Sequence, residues 1–334
     1  MAATAEPPLP SPPQVIQVSP RAWSGWWWPM YDGPGTGPHL YDPGGPLAKY
    51  DALVVSQGRP NPGTLSWSLA NMRTSDPKNT WWGHCNGWAV AAILEPEPTK
   101  PREVGGIAFS VADQKGLLSS WYQGVGVKFQ LGGPEGLSAL LFHRAVQDWV
   151  VERGTPIIIN AYNVQGNEYQ VWNYPLVQAR LAYTPDAAQP GVTHVAATVW
   201  LASDAVPADF VGTTLWPGEQ GITYTYRLTG DVSRPTGAGW EGPSAGPGTL
   251  DRPSLVWYPD PTWRYIPPLT PPGMDYATLR LITGHPSGAT AAAAASAAAA
   301  PSAVAPAAMA FAVAPPVAVS SSATARPWAA RALP

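Results

Sequence analysis

The chain has 334 residues, which is enough for one large domain or two ordinary ones. Charged residues make up 12% of it and the formal net charge is −3, which excludes the basic surface of a nucleic-acid-binding protein and a polybasic membrane patch. Its single cysteine excludes an intrachain disulfide framework and a zinc site built from several cysteines.

Both ends of the chain differ in composition from its middle. Residues 1–19 are rich in proline, which predicts an extended, mobile leader. Residues 284–334 are rich in alanine, but scattered prolines interrupt any helix there, which predicts a disordered tail. We therefore place the folded part of the chain at residues 20–283, as one domain or two closely packed lobes. The start shows no basic and apolar signal-peptide pattern, and no uninterrupted membrane span is expected.

Three helices are predicted in the first half of this domain. Residues 86–94 are apolar on nearly every face, which is typical of a buried helix. Residues 113–122 form a shorter candidate. Residues 135–153 place large apolar side chains at helical spacing and end at Gly154, a typical helix C-cap.

Strands are predicted after Gly154. The segments TPIIINAY (155–162) and EYQVWNYPLVQARLAY (168–183) flank the turn-rich NVQGN and indicate a β-hairpin. Further strands are expected at 193–202, 221–228 and 254–258. Helices followed by strands are typical of an α+β domain.

Cys85, in the segment NTWWGHCNGWAVAAILEPEP, is the candidate nucleophile. Most free cysteines are small core side chains, but the start of a helix stabilises a thiolate through free N–H groups and the helix dipole. Gly83 and Gly87 allow close approach of another backbone. Asn79 lies six residues upstream, where papain-like enzymes carry an oxyanion-hole amide. We therefore expect a papain-like core, with a buried nucleophile helix packed on an antiparallel sheet.

A cysteine nucleophile needs a base, and the chain has five histidines. His84 is next to Cys85 in sequence, so the two side chains should diverge. His39 and His285 lie in segments rich in glycine and proline. His143, within the 135–153 helix, and His194, at the start of a strand, remain as candidates on residue types alone.

Five segments, in order, resemble the transglutaminase elicitor family, the enzymes of oomycete cell walls and their bacterial relatives. The resemblance covers about residues 20–183. The segments are WSGWWWPMY (23–31), WWGHCNGWAVAAILE (81–95), GIAFSVADQKGLLSSWYQGVGV (106–127), FHRAVQDWV (142–150) and VWNYP (171–175).

This resemblance implies a set of site residues. His143 falls on the family's F-H helix, and Asn160 stands where the family has an aspartate. The implied triad is Cys85 as nucleophile, His143 as base and Asn160 as the residue that orients the imidazole, with His194 as the alternative base. The residues expected to form the oxyanion hole and substrate site are Asn79, Trp82 and Trp88.

The implied reaction is cysteine-dependent acyl transfer that forms glutamine–lysine isopeptide crosslinks, so proteins bearing glutamine and lysine are the expected substrates. One alternative is a cysteine peptidase or deamidase, in which water takes the acyl group from the same thioester. Another is a non-enzymatic wall or carbohydrate binder that uses the tryptophans.

Cofactor and location follow only from the resemblance. It allows a calcium requirement, although the sequence contains no D-x-D-x-D-G loop and itself predicts no metal site. It also suggests a secreted or cell-wall protein, and the compartment is left open because no signal peptide is visible.

Overall fold

The structure is a computed structural model that describes residues 15–133, 136–161, 164–165, 168–246, 252–264 and 269–285. These residues belong to one compact unit, residues 1–300. The predicted disordered tail lies outside the described residues except for 284 and 285. The predicted mobile leader is already ordered at Val15–Gln17, which forms a strand.

Six α-helices occur in the described parts of the chain. The predicted helices at 86–94, 113–122 and 135–153 are confirmed with shifted bounds, and the third continues past its α-helical part as a π-helical turn at Val146–Val151. The other three helices were not predicted. The six are α1 (Pro46–Ser56), α2 (Thr64–Asn71), α3 (Cys85–Leu94), α4 (Val111–Tyr122), α5 (Ala139–Ala145) and α6 (Tyr276–Thr283).

Among the same residues, thirteen strands form one large sheet and two small ones. They are β1 (Val15–Gln17), β2 (Arg102–Val104), β3 (Ile107–Phe109), β4 (Val125–Gly132), β5 (Ile158–Asn160), β6 (Val164–Gln165), β7 (Glu168–Tyr169), β8 (Asn173–Pro185), β9 (Val192–Ala202), β10 (Leu215–Trp216), β11 (Ile222–Thr229), β12 (Gly237–Trp240) and β13 (Leu255–Arg264).

The large sheet has nine strands in the described chain, and its pairs are antiparallel. Its order is β12-β11-β9-β8-β5-β13-β4, with β1 paired to β8 and β10 paired to β9. The predicted hairpin is confirmed as the antiparallel pair β5–β8, although the tip of its turn lies outside the described residues. The predicted combination of helices with an antiparallel sheet is thus confirmed, and the papain-like character of the core stays a prediction.

Helix α3 lies in the main core, packed against β8 and α4. Eight of its 10 residues are buried, including Trp88 at 0% exposure, because its sequence is apolar on nearly every face. Gly87 lets α4 approach closely, since a β-carbon at this position would collide with the backbone oxygen of Ser119. The start of α3 is thereby held over the first residues of β8.

The register of the central strands determines which residues meet at each end of the sheet. Asn160 of β5 is opposite Asn173 of β8, and Leu176 of β8 is opposite Leu201 of β9. Residues at the start of β8 and just beyond the end of β9 therefore share one end of the sheet. The other end of β8 carries Thr184, opposite His194.

Candidate active site

Cys85 is the first residue of α3, and its sulfur contacts the chain immediately before β8. The thiol donates to the backbone oxygen of Val171 at 3.7 Å, and Nδ2 of Asn173 donates to the sulfur at 3.7 Å. The residue is 6% exposed. Burial raises the pKa of the Cys85 thiol to about 11, although the backbone N–H groups of Asn173 and Asn86 act in the opposite direction. In this arrangement the thiol is protonated at neutral pH.

Asn173 was not predicted as a site residue, and its side chain is held firmly. Its Oδ1 accepts a hydrogen bond from Nε1 of Trp257 at 2.8 Å, which directs its amide nitrogen to the sulfur. In the sequence, only the position of Asn173 within the segment VWNYP (171–175) pointed to it.

Asn160 lies on the neighbouring strand β5 and hydrogen-bonds to the backbone just before β8. Its Oδ1 accepts from the backbone N–H of Trp172 at 2.6 Å, and its Nδ2 donates to Oγ of Ser254 at 2.7 Å. Trp172 lies between Val171 and Asn173, the two residues that contact the sulfur. Asn160 is therefore bonded to the backbone beside Cys85. The imidazole that it was expected to orient, that of His143, has both nitrogens bonded to other groups.

Asp204 is the ionisable neighbour that the sequence analysis missed. It lies two residues beyond the end of β9, and the bridge between Ala205 and Trp26 fixes its position. Burial raises the pKa of the Asp204 carboxyl to about 7, partly offset by hydrogen bonds from its own backbone N–H and from Tyr174. Its Oδ2 has no hydrogen-bond partner within the described chain. The carboxylate is close enough for its charge to raise the pKa of the Cys85 thiol.

Tyr174 completes this side of the site. It follows Asn173 on β8 and is buried, with its ring stacked on that of Trp216 at a centroid distance of 4.8 Å and an interplanar angle of 4°. The stack fixes the plane of the ring whose hydroxyl hydrogen-bonds to Asp204.

Asp204 could not be predicted from the sequence. An aspartate that follows a strand gives no signal of its own, because only the register of β8 and β9 brings it near Cys85.

Two tryptophans on the segments next to Cys85 and Val171 form an aromatic wall. The rings of Trp27 and Trp172 are 5.5 Å apart, and the backbone N–H of His84 donates to the oxygen of Trp27 at 2.8 Å. Of the two predicted substrate tryptophans, Trp82 is 36% exposed at the surface, whereas Trp88 is fully buried in the core. The wall beside Cys85 is therefore made by other tryptophans than those expected.

The side chain of Asn79 is engaged in its own turn. Its Nδ2 donates to Oγ1 of Thr74 at 3.1 Å, and its backbone oxygen accepts from the N–H of Trp82 at 2.9 Å. These bonds identify Asn79 as a turn-forming residue. Among the described contacts of the Cys85 sulfur, the side-chain amide is that of Asn173.

The two histidines expected as bases are bonded elsewhere. His143 uses Nδ1 with the hydroxyl of Tyr226 at 2.9 Å and Nε2 with the backbone oxygen of Val232 at 2.8 Å. His194 uses Nδ1 with Glu241 at 2.8 Å and Nε2 with Asp186 at 3.3 Å.

The position of both histidines in the sheet explains why they do not meet Cys85. The ring of His143 lies 6.4 Å from that of Tyr183, and His194 is opposite Thr184, so both lie near the far end of β8. Tyr183 is ten residues beyond Asn173, about 33 Å along an extended strand. The structure therefore brings neither His143 nor His194 to Cys85.

His84, the residue before the nucleophile candidate, is buried and neutral. Burial lowers its pKa to about 4, so its ring is a much weaker base at neutral pH than an ordinary imidazole. Its Nδ1 has no hydrogen-bond partner among the described residues. Of the groups around Cys85, Asp204 thus has the pKa best suited to accept a proton.

The calcium requirement allowed by the resemblance stays a prediction. No group of three or more histidine, cysteine, aspartate or glutamate side chains in the described ranges could hold a metal ion. The same ranges contain no helix with the length and hydropathy needed to cross a membrane.

Comparison with known proteins gives a family match and a similar fold. The family model described as transglutaminase elicitor matches residues 68–135, a range that includes Cys85 and all of α3 and α4. No curated protein matches the sequence. The fold is similar to the crystal structure of the GP42 transglutaminase from Phytophthora sojae, with a TM-score of 0.58 and 18% identity over 81% of this chain and 90% of that one. The match to the family model and the shared fold confirm the resemblance of this chain to the transglutaminase elicitor family.

Proposed function

We propose that the protein is a transglutaminase-type acyl transferase that joins glutamine and lysine side chains through a thioester on Cys85. The observation that carries the proposal is this thiol at the start of a buried helix, within electrostatic range of the Asp204 carboxyl, whose pKa burial raises to about 7. The match of residues 68–135 to the family model supports the same reaction class. A general base with a pKa near the working pH is the most efficient kind.

The first half-reaction uses the thiol as nucleophile. The sulfur of Cys85 bonds to the carboxamide carbon of a glutamine, and its proton passes to the Asp204 carboxylate. The carbon–nitrogen bond of the amide then breaks, and the nitrogen leaves as ammonia with the proton held by Asp204. The product is a thioester.

The second half-reaction returns the thiol. The neutral amine of a lysine bonds to the thioester carbon and loses a proton to Asp204, the carbon–sulfur bond breaks, and the sulfur regains the proton. The wall formed by Trp27 and Trp172 favours the amine over water, because exclusion of water protects the thioester from hydrolysis.

Asn173 has a positioning role in this scheme. Its amide, fixed by Trp257, lies on the sulfur and is placed to donate to the oxyanion that develops next to it. Asn173 thus has the oxyanion-hole role that was expected of Asn79. Removal of one such donor costs about 10²–10³ in rate in enzymes of this general kind.

The test is incorporation of a fluorescent primary amine into a glutamine-rich protein. We expect Cys85→Ala to abolish incorporation and Asp204→Asn to lower the rate by about 10²–10⁴, the usual contribution of a general base. Asp231→Asn is the matched control, because Asp231 is an exposed loop carboxylate. Full activity of Asp204→Asn would contradict the proposed base.

Hydrolysis is distinguished in the same experiment. A deamidase or peptidase would release ammonia or cleave the acceptor without incorporating the amine. Ammonia release that equals amine incorporation supports transfer, whereas ammonia release alone would assign the protein to the hydrolytic class.

One observation favours a second candidate function, a non-enzymatic relative in which Cys85 is structural. The sulfur is nearly covered and its pKa is about 11, which is typical of an inert buried thiol. A structural cysteine would resist iodoacetamide in the folded protein at neutral pH. The acyl-transfer proposal instead predicts that iodoacetamide alkylates the native protein at Cys85, equally in the wild type and in Asp231→Asn.

A further inference from the structure

Asn160 is fully buried and hydrogen-bonds toward both neighbouring strands, yet it has no role in the acyl transfer described above. It ends β5, which lies between β8 and β13, and it is 0% exposed. Its Oδ1 accepts from the backbone N–H of Trp172 at 2.6 Å, and its Nδ2 donates to Oγ of Ser254 at 2.7 Å. Because a buried amide is stable only when it is hydrogen-bonded, these two bonds hold the side chain from both sides.

The orientation of the Asn160 amide follows from these partners. A backbone N–H can only donate, so the atom that faces Trp172 is the oxygen. The hydroxyl of Ser254 accepts here from Nδ2, although a hydroxyl can also turn and donate. Position 160 therefore requires an acceptor toward Trp172, whereas toward Ser254 it allows either a donor or an acceptor.

A single peptide unit connects Asn160 with the sulfur of Cys85. The N–H of Trp172 and the C=O of Val171 belong to one planar, trans unit, in which the two bonds point in opposite directions. The N–H is bonded to Asn160, and the oxygen accepts from the Cys85 thiol at 3.7 Å. The side chain of Asn160 thus fixes the orientation of the carbonyl group that receives the thiol proton.

The bond from Asn160 also strengthens this carbonyl group as an acceptor. Hydrogen bonds in a chain polarise one another, so a bond to the N–H of a peptide unit makes its oxygen more negative. The side chain of Asn173, one residue beyond Trp172, donates to the same sulfur at 3.7 Å. Both groups that bond to the sulfur are therefore carried by the three-residue stretch 171–173, and Asn160 holds its middle N–H.

Strand β13 supports both asparagines. Ser254, directly before this strand, bonds to Nδ2 of Asn160, and its backbone N–H donates to the oxygen of Asn160 at 3.3 Å. Trp257, within the strand, donates to Oδ1 of Asn173 at 2.8 Å. The stretch that contacts the sulfur is thus held by hydrogen bonds to two neighbouring strands.

We propose that Asn160 is a positioning residue for Cys85 that acts through the peptide unit between Val171 and Trp172, and not through an imidazole. Its oxygen orients the peptide, the peptide binds the thiol proton, and the sulfur stays beside the amide of Asn173. A displacement of about 1 Å in such an arrangement can lower a rate by about 10²-fold. The effect on rate rests on the proposed acyl transfer, whereas the effect on the thiol hydrogen bond does not.

The S–H stretching band in the infrared spectrum reports this hydrogen bond directly. Cys85 is the only cysteine of the chain, so Cys85→Ala supplies the blank. Asn160→Leu removes the acceptor at similar size and should move the band to higher frequency, because a weaker hydrogen bond stiffens the S–H bond. Asn160→Asp should leave the band at or below the wild-type frequency, since a carboxylate accepts from Trp172 and the Ser254 hydroxyl can turn to donate. Asn71→Leu, at a surface asparagine, is the matched control and should not move it.

Amine incorporation by the same folded variants tests the effect on rate. We expect kcat to fall by about 10²-fold in Asn160→Leu, with KM within about twofold of the wild type because Asn160 contacts no substrate. Asn160→Asp should keep kcat within about twofold. Loss of packing alone would lower stability without this difference between the two variants.

Two results would overturn the proposal: an S–H band that stays at the wild-type frequency in Asn160→Leu, or one that moves to the same higher frequency in Asn160→Asp. An unchanged kcat in Asn160→Leu would refute the effect on rate. If the band moves as expected while the wild type incorporates no amine, Asn160 positions the thiol and the proposed function fails. If Asn160→Leu does not fold, Ser254→Ala, which removes the support of the Asn160 amide, should raise the band frequency, and an unmoved band in that variant would overturn the proposal.

Discussion

At the scale of single residues, Asn173 links Cys85 to the sheet. It joins the sulfur to Trp257, because its amide nitrogen donates to Sγ and its oxygen accepts from the indole. All three side chains are buried. A change at Asn173 therefore leaves two buried groups with fewer partners.

Asn173→Ala should lower the free energy of unfolding by about 1–3 kcal/mol, the cost of a buried donor left without its acceptor. Urea titration followed by tryptophan fluorescence measures the change. Asn71→Ala is the matched control, because the amide of Asn71 bonds at the surface to the backbone oxygen of Trp67. Equal losses of unfolding free energy in the two variants would contradict this role of Asn173.

The raised pKa of Asp204 predicts how the stability of the folded protein depends on pH. Its pKa rises from 3.8 to about 7 on folding, so between these values the folded state holds more protons than the unfolded state. Stability from this group is greatest below about pH 4 and is lost as the pH rises through 7, by up to roughly 4 kcal/mol in total. Chemical denaturation at a series of pH values should show this fall in the wild type and a flatter profile in Asp204→Asn. Parallel profiles would contradict a buried carboxyl with a raised pKa.

At the scale of elements, the close contact of α3 with α4 holds Cys85 over the sheet. Gly87→Ala should destabilise the protein by about 1–3 kcal/mol, since the new methyl group meets the backbone of Ser119 and the helices must separate. Gly237→Ala, where a β-carbon would make ordinary contacts of 3.8 Å, should change stability by no more than about 0.5 kcal/mol. Thermal melts of both variants compare the two sites.

The sequence predicts the elements that have strong patterns and misses those that do not. The apolar run of α3 and the strands β8, β9 and β11 follow from hydrophobicity and from the density of strand-forming side chains. Helices α1 and α2 lie among glycines and prolines, which are typical of loops, and were not predicted. Cys85 and the neighbourhood of Asn160 could be predicted because each lies within a recognisable segment.

Site partners that depend on strand register could not be predicted in this way. Asp204 lies within electrostatic range of Cys85 because β8 and β9 pair with Leu176 opposite Leu201, and the sequence does not reveal that register. The same register carries His194 to the opposite end of the sheet. Residue type favoured a histidine as base, whereas the geometry favours a buried aspartate.

At the scale of the whole molecule, the two ends of the sheet carry different ionisable groups. Cys85 and Asp204 share one end, whereas His143 is buried at the other end among the rings of Tyr183 and Tyr226. Burial lowers the pKa of His143, which agrees with a neutral structural imidazole. We therefore expect its removal to affect folding rather than catalysis.

His143→Ala should lower the free energy of unfolding by about 1–3 kcal/mol, because it leaves the Tyr226 hydroxyl and the Val232 carbonyl without a partner. Amine incorporation per folded molecule should stay within about twofold of the wild type, as it should for His194→Ala, since neither ring touches the reacting atoms. A loss of activity in folded His143→Ala comparable to that in Cys85→Ala would restore the imidazole as the base.

The pH dependence of amine incorporation tests the role of Asp204 beside Cys85 most directly. The rate should rise with pH as Asp204 loses its proton, with a midpoint near its pKa of about 7, and this inflection should be absent from Asp204→Asn. If folded Asp204→Asn keeps the rate and midpoint of the wild type, another group accepts the proton and the pairing of Cys85 with Asp204 is contradicted.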